Sequence, residues 1–290
     1  MADTNLIKKT DLARVREVEV TTLFEEGLKK LIEALGVTRK IEKTAGAMIK
    51  TYKATGTLQD GTVAEGETIP LSKYITEAVN YGEITLKKWR KATTAEAIMD
   101  RGYDQAVDMT TDRMIKDVQK SIRASFFSSM EGIGGATTVT AAGLQATLAQ
   151  AWGKLQVLFE DDSAEAVYFV NPTDIADYLA TAQITTQEAF GMKYVADFLG
   201  LGTVIINSTV PTGKVLATVK ENLILYYVSV NGADLGEVFD FTSDETGYIG
   251  IHEQPDYTNM TSEDTIISGI ELLAERTDGV VVGTISAETT

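Results

Sequence analysis

Residues 49 to 130 constrain the fold of this chain more than any other stretch: a polar segment with strand-like alternation runs directly into a long helix-forming segment. Thr93 and Glu96 make a T-x-x-E pair, in which the threonine oxygen and the glutamate satisfy backbone donors reciprocally at a helix start. Apolar residues then recur at Tyr103, Val107, Met114, Val118, Ile122 and Phe126, a spacing that keeps one helix face apolar, and no proline follows until Pro172. Gly102 is the only weak point in the run. Glu96, Asp100 and Asp104 come early while Lys116, Lys120 and Arg123 come late, which complements the helix dipole at both ends. The pattern predicts one spine helix over 93–130, roughly 50 Å long at about 1.5 Å per residue. A compact globule of this chain length is itself only about 50 Å across. The helix would span the whole molecule, so a flattened or elongated subunit is expected.

The preceding segment reads as a ribbon. Ile49, Thr51, Tyr52, Lys53 and Ala54 have β-type alternation, turn signals follow at Gly56, Asp60-Gly61, Gly66 and Ile69-Pro70, and a second extended run holds Ile84, Leu86 and Trp89. Basic residues Lys87, Lys88, Arg90 and Lys91 surround that Trp89. A two-stranded ribbon with so few large apolar side chains is marginal in water. It is expected to lie on a neighbouring subunit.

With 290 residues and 44% hydrophobic content the chain can build a sizeable core as one large domain or two modest ones. The absence of cysteine excludes disulfides, thiolate metal sites and cysteine nucleophiles, and the lone His252 leaves little room for histidine-based chemistry. The first twenty residues hold no apolar leader and no run reaches membrane-spanning length, so a soluble, non-exported chain is expected. Gly132-Ile133-Gly134-Gly135 follows a helix and Gly200-Leu201-Gly202 precedes a strand, so neither has the strand-glycine-helix order that cradles a dinucleotide. Glu160-Asp161-Asp162 lacks the spaced ligands of a calcium loop and reads as an exposed turn. Neither a catalytic constellation nor a metal or cofactor site emerges. Met99, Met109 and Met114 read as packing on the spine, and Trp89 and Trp152 as buried anchors.

The formal net charge of −16 argues against a strong nucleic-acid or anionic-membrane binder. Residues 1–50 hold ten basic and eight acidic side chains, whereas residues 221–290 hold fourteen acids and a single base, Arg276. That asymmetry is either a solvated acidic surface or a means for the two ends of neighbouring chains to attract. Glu96, Asp100, Asp104, Asp108 and Asp112 stand at strict four-residue spacing, and like-charge helix neighbours cost about 0.2–0.5 kcal/mol each. Two readings are open. The acids form a solvated stripe relieved locally by Arg101, Arg113 and Lys116, or a neighbour's basic arm (Lys8, Lys9, Arg14, Arg16) or loop base (Lys87, Lys88, Arg90, Lys91) docks on them.

Beyond the spine, Gly143 to Phe159 has helical spacing, Ala166 to Val170 reads as a buried strand, and Asn171-Pro172 caps a helix over 173–182. A short helix is expected to end at Val195 to Leu199. Strands are expected at Thr203 to Asn207, Lys214 to Thr218, Leu223 to Val230, Tyr248 to Ile251, Ile266 to Leu273 and Val280 to Ile285. The fold class is α+β.

In this order, the polar loop Val63-Ala64-Glu65-Gly66-Glu67-Thr68-Ile69-Pro70, the helix after it, the strand-turn Val167-Tyr168-Phe169-Val170-Asn171-Pro172 and the segment from Phe190-Gly191 through Leu199-Gly200 to Val210-Pro211 resemble the major capsid proteins of tailed bacteriophages. The resemblance implies the HK97-like fold. It assigns 1–45 to an N-terminal arm, 46–92 to an extended loop, 93–160 to a peripheral domain with the spine helix, 161–250 to an axial domain and 251–290 to strands returning to the body. It implies a non-enzymatic protein that assembles with itself, as pentamers and hexamers, into an icosahedral head enclosing double-stranded DNA without sequence-specific binding. Implied partners are a portal protein and a decoration protein, with no membrane. Because only about 45 residues precede the loop, a separate scaffolding protein is expected. The implied location is the virion, assembled in the host cytoplasm. An encapsulin-like compartment shares the fold and stands as the alternative, with an unrelated acidic enzyme behind it.

Overall fold

The computed structural model describes residues 9–131, 137–160, 165–181, 186–189, 191–231, 238–243 and 245–286. The chain opens with α1 (Lys9–Leu35), β1 (Arg39–Glu42), β2 (Met48–Thr57), β3 (Lys73–Glu83) and β4 (Lys87–Thr94). The spine follows as α2 (Ala95–Arg101), a π-helical turn (Asp104–Asp108) and α3 (Met109–Glu131). Then come β5 (Thr137–Ala142), α4 (Gly143–Leu158), β6 (Ala166–Val170), α5 (Pro172–Thr181), β7 (Gln187–Ala189), β8 (Met192–Val195), β9 (Thr203–Ile206) and β10 (Lys214–Val219). The last third holds β11 (Leu223–Tyr227), β12 (Thr242–Ser243), β13 (Ile249–Asp256), β14 (Thr261–Ser268), β15 (Ile270–Ala274) and β16 (Val281–Ser286).

Strand β6 is buried at all five positions, which is why it reads as an unbroken apolar run. It lies in a seven-stranded sheet ordered β5-β16-β10-β6-β9-β8-β7, antiparallel to β10 and parallel to β9. The close approach of β9 depends on Gly202, where an added Cβ would fall 2.2 Å from the Ala166 carbonyl oxygen and where φ is +135°. Asn171 ends β6 as expected: its Oδ1 accepts the Thr173 N–H at 3.0 Å, and its Nδ2 donates to the Val210 carbonyl at 2.6 Å.

Alternate residues of β6 face two different cores. Tyr168 and Val170 pack with Leu148 and Leu155 of α4. Val167 and Phe169 pack with α1 and α3, where Phe169 meets Phe126 and Phe127 at ring-centroid distances of 5.4 and 5.1 Å. A three-stranded sheet, β1-β11-β15, and a four-stranded sheet, β12-β13-β14-β4, complete the body. β15 packs against α3.

Four expectations are corrected. The spine is interrupted: Gly102 adopts φ 80°, ψ 159°, conformations open mainly to glycine, and the Met109 N–H bonds to the Asp104 carbonyl across a π turn. The N-terminal segment is no free arm from Glu17 onward, because Val20, Phe24, Leu28, Leu31, Ile32 and Leu35 form a helical stripe buried in the subunit's own core. The ribbon's return strand is β3, whereas 87–94 belongs to another sheet as β4. Residues 192–195 are a strand followed by a turn instead of a helix end.

Phe169→Ala empties the point where α3 meets the large sheet and should cost about 3–5 kcal/mol in urea unfolding, whereas Val157→Ala, on the exposed side of α4, should stay within about 0.5 kcal/mol.

Candidate inter-subunit surfaces

β2 and β3 pair antiparallel over ten residue pairs, from Met48↔Glu83 to Thr57↔Lys73, with an irregularity at Ile49/Lys50. At about 3.4 Å per residue the ribbon is roughly 34 Å long. Its base is anchored, since Ile49 and Ile84 are fully buried among Ile224, Tyr226, Val228 and Leu273, and the Tyr81 hydroxyl donates to the Ala274 carbonyl at 2.7 Å. Beyond the base the side chains face solvent, Tyr52, Tyr74 and Leu71 being 72%, 62% and 92% exposed. The tip, residues 58–72, contains Asp60, Glu65 and Glu67 and no base. Ser72 Oγ accepts the Gln59 N–H at 3.0 Å and closes the tip, while the Thr62 N–H, at 2.9 Å from Asp60 Oδ1, holds that carboxyl below its usual range.

β4 is an edge strand whose inward positions carry lysines, a device that also discourages edge-to-edge pairing. Lys91 Nζ lies 3.0 Å from Asp264 Oδ2 on β14 and donates to the Val107 carbonyl at 3.0 Å and to Thr110 and Thr111 Oγ1 at 2.7 Å each. Thr111 in turn donates to the same Asp264 carboxylate. Lys87 Nζ donates to Ser125 Oγ on α3 at 2.5 Å. On the opposite face of the strand Arg90 binds Glu263, whose carboxylate strengthens the hold of the guanidinium on its proton. Glu253 accepts from the Tyr103 hydroxyl at 2.5 Å and from Ser262 Oγ at 3.2 Å. Glu17 of α1 accepts the Glu253 N–H at 2.6 Å. Both the sheet and the helices are thereby fixed to one another.

The candidate contact residues separate into distinct places. Lys87, Arg90 and Lys91 each have a partner within their own subunit. Lys88 is exposed and makes no ion pair among the described residues. Trp89 packs against the subunit's main core. The acid series is not one stripe, because the break at Gly102 and the π turn change its phase. Asp100 pairs with Arg101 at 3.1 Å, Asp104 and Asp112 are exposed, and Asp108 is half-buried. Arg113 pairs with Asp117 at 3.3 Å and not with the series. The helix cap is Thr94, whose Oγ1 accepts the Ala97 N–H at 3.3 Å, while Thr93 lies in β4 opposite Ser262. Lys9, Arg14 and Arg16 lie on α1, ahead of the described side chains, which begin at Glu17; Lys8, like Gly132-Ile133-Gly134-Gly135, Asp161, Asp162 and Phe190, lies outside the described residues.

Trp152 is 39% exposed on α4 and so does not anchor its own subunit's core, and Met99 and Met109 point outward at 87% and 66% exposure. The sequence reading missed Glu263 and Asp264. Its available signal was two adjacent acids inside a strand-forming run, where successive side chains take opposite faces and each buried carboxylate needs its own cation. Among the described residues no cluster of potential metal ligands occurs and no helix is long and apolar enough to cross a membrane.

Lys91→Ala leaves Asp264 buried without its cation, beside an Oδ1 that already lacks a hydrogen-bond partner, and should cost about 3–5 kcal/mol in chemical unfolding. Glu271 on β15 has its pKa raised by burial, against a smaller opposing pull from Lys87. The folded state therefore holds this proton more tightly than the unfolded chain, and stability falls as pH rises from the unfolded value through the folded one. Glu271→Gln should raise the melting temperature at pH 7, and the gain should vanish at acidic pH where both states are protonated.

No protein-family model matches this sequence, and no curated protein matches it. Solved structures do. A cyanophage A-1(L) capsid chain aligns with a TM-score of 0.60 at 10% identity, over 89% of this chain and 93% of that one. A virus-like particle from Pyrococcus furiosus aligns with a TM-score of 0.54 at 12% identity, over 91% and 97%. The holo-SrpI encapsulin complex of Synechococcus elongatus aligns with a TM-score of 0.51 at 11% identity, over 87% and 88%.

Proposed function

We propose, from the HK97-like fold that this chain shares with phage capsids and encapsulins, that its function is to build a closed protein shell by association with copies of itself. The carrying observation is the ribbon of β2 and β3. It is ordered over ten pairs yet buries almost nothing beyond its base, on a body that is otherwise well packed. Such a ribbon gains its stabilising contacts on another copy. The role is structural and involves no chemistry on a substrate.

The reading that the whole set of features supports best is a major capsid protein of a tailed phage. In that reading the subunits assemble as pentamers and hexamers around double-stranded DNA, in the host cytoplasm, with a separate scaffolding protein, a portal and a decoration protein as partners. The net charge of −16 suits a wall that encloses DNA without gripping its phosphates. A second reading, an encapsulin-like compartment around a protein cargo, is favoured by the similarity to an encapsulin complex over most of both chains.

Negative-stain electron microscopy of the purified protein tests the common core of both readings. Closed particles of uniform diameter are expected. A protein that stays monomeric at all concentrations, with or without co-expressed neighbouring genes, would remove the shell function. Nuclease-protected double-stranded DNA in particles from the native source would select the phage head, and a bound enzyme would select the compartment.

A further inference from the structure

In the four-stranded sheet, successive side chains of β4, β13 and β14 turn to opposite faces. One face carries Trp89 and Lys91 and packs on α3. The other carries Lys88 beside Ile267 and Thr265 beside His252, as cross-strand partners. Residues 238–241, just ahead of β12, pass over this second face. The Phe241 ring meets the His252 ring edge-on at a centroid distance of 6.4 Å and lies 5.7 Å from the ring of Phe239. That approach requires Gly250, where an added Cβ would fall 2.6 Å from Val230 Cγ1 and 3.2 Å from Phe241 Cβ. Between the segment and the sheet is a cavity of about 450 Å³, walled by Leu86, Val238, Phe239, Phe241 and Ile267. It is separate from the hollow of about 580 Å³ that β4 and α3 line together, with which it shares only Lys88.

Four polar side chains, Lys88, His252, Gln254 and Thr265, line the same cavity. Among the described residues none of them makes a side-chain hydrogen bond or ion pair. Each can donate, and Lys88 adds a positive charge. Asp240, the acid of the lining, is exposed. Donors without acceptors, set behind a mainly apolar wall, fit a ligand with an apolar body and a negatively charged, acceptor-rich end. We infer that this cavity binds a small amphipathic carboxylate, with its charged end at Lys88 and its body between Phe239, Phe241 and Ile267. The volume suits roughly ten to fifteen non-hydrogen atoms, at about 30 Å³ each. A single lysine opposite one acid favours a monoanion over a phosphate-type dianion. The cavity lies within one copy, so the inference does not rest on the shell function. A bound ligand would join Leu86 and Lys88, beside the ribbon base, to the segment 238–241.

Calorimetric titration of the purified protein with octanoate, and with 1-octanol as its uncharged counterpart, tests the site. Octanoate should bind saturably at one site per chain, at least about fivefold more tightly than octanol. Lys88→Gln should remove that difference and leave octanol binding unchanged. Asp240→Asn should act in the opposite direction and tighten octanoate binding. Phe239→Ala, which shortens the apolar wall, should weaken both ligands at least about threefold. Lys88, Phe239 and Asp240 are all exposed, so unfolding midpoints without ligand should hardly move. Saturating octanoate should raise the melting temperature of the unsubstituted chain more than that of Lys88→Gln.

Equal affinity for octanoate and octanol, unmoved by Lys88→Gln and Phe239→Ala, would mean adsorption to exposed apolar surface and would overturn the site. So would the absence of saturable binding by octanoate. Binding lost in Phe239→Ala but indifferent to Lys88→Gln and Asp240→Asn would overturn the carboxylate assignment. None of these results bears on whether the chain forms particles.

Discussion

The ion pair between Lys91 and Asp264 is the interaction on which the geometry of the subunit turns. Strand β4 joins the ribbon to the spine along the chain, and it is an edge strand with one hydrogen-bonded neighbour, β14. Eight paired residues set its register, yet an edge strand held by backbone bonds alone can still fray. Lys91 removes that freedom because its ammonium satisfies a carboxylate on the sheet and, at the same time, the Val107 carbonyl of the π turn and the Thr110 and Thr111 hydroxyls at the start of α3. One side chain thereby fixes strand, sheet and helix. The direction in which the ribbon leaves the body relative to the spine follows from that fixation.

The charge asymmetry of the sequence takes on a different meaning in the folded subunit. The acid-rich last third does not simply face solvent or wait for a neighbour. Arg39 binds Glu275, Arg90 binds Glu263 and Lys91 binds Asp264, so bases from the first third neutralise acids near the end of the same chain. These pairs staple segments far apart in sequence into common sheets, β1 beside β11 and β15, and β4 beside β14. In the two pairs between β4 and β14 the acids are the buried members, whereas Arg39 and Glu275 are both exposed. The junction of β4 and α3 shows cations, and the ribbon tip shows carboxylates.

Elements buried on both sides, or amphipathic with a clean period, were legible in the sequence. β6 and the Asn171-Pro172 start of α5 lie where the residues place them, and α4 fills the expected span but for its last residue. β3 was not legible, because a strand exposed on both faces has no reason to alternate. The inward lysines of β4 violated the binary pattern, and only their partners on β14 and α3 explain them. The broken spine was hidden for another reason. Its acids recur every four positions and its apolar residues step by seven from Val107 to Met114, so helical spacing continues across the break and Gly102 alone marks it. The hollow between β4 and α3 escaped detection because residues of two separate elements line it together.

A contact between the ribbon of one copy and the body of the next is heterologous, since the two surfaces differ. Such contacts either close reciprocally in a two-fold pair or run head to tail until a ring closes or a filament grows. The angle between successive copies decides which, and that angle is the one between ribbon and spine that β4 holds. A rigid ribbon with a fixed exit angle favours closure at a defined number of subunits. Each contact can then remain weak, because in a closed ring no copy leaves without breaking two. A ring of that kind does not require a large apolar interface. An exposed ribbon with only a handful of apolar side chains is sufficient, and it keeps the free chain, with its large net negative charge, from associating indiscriminately.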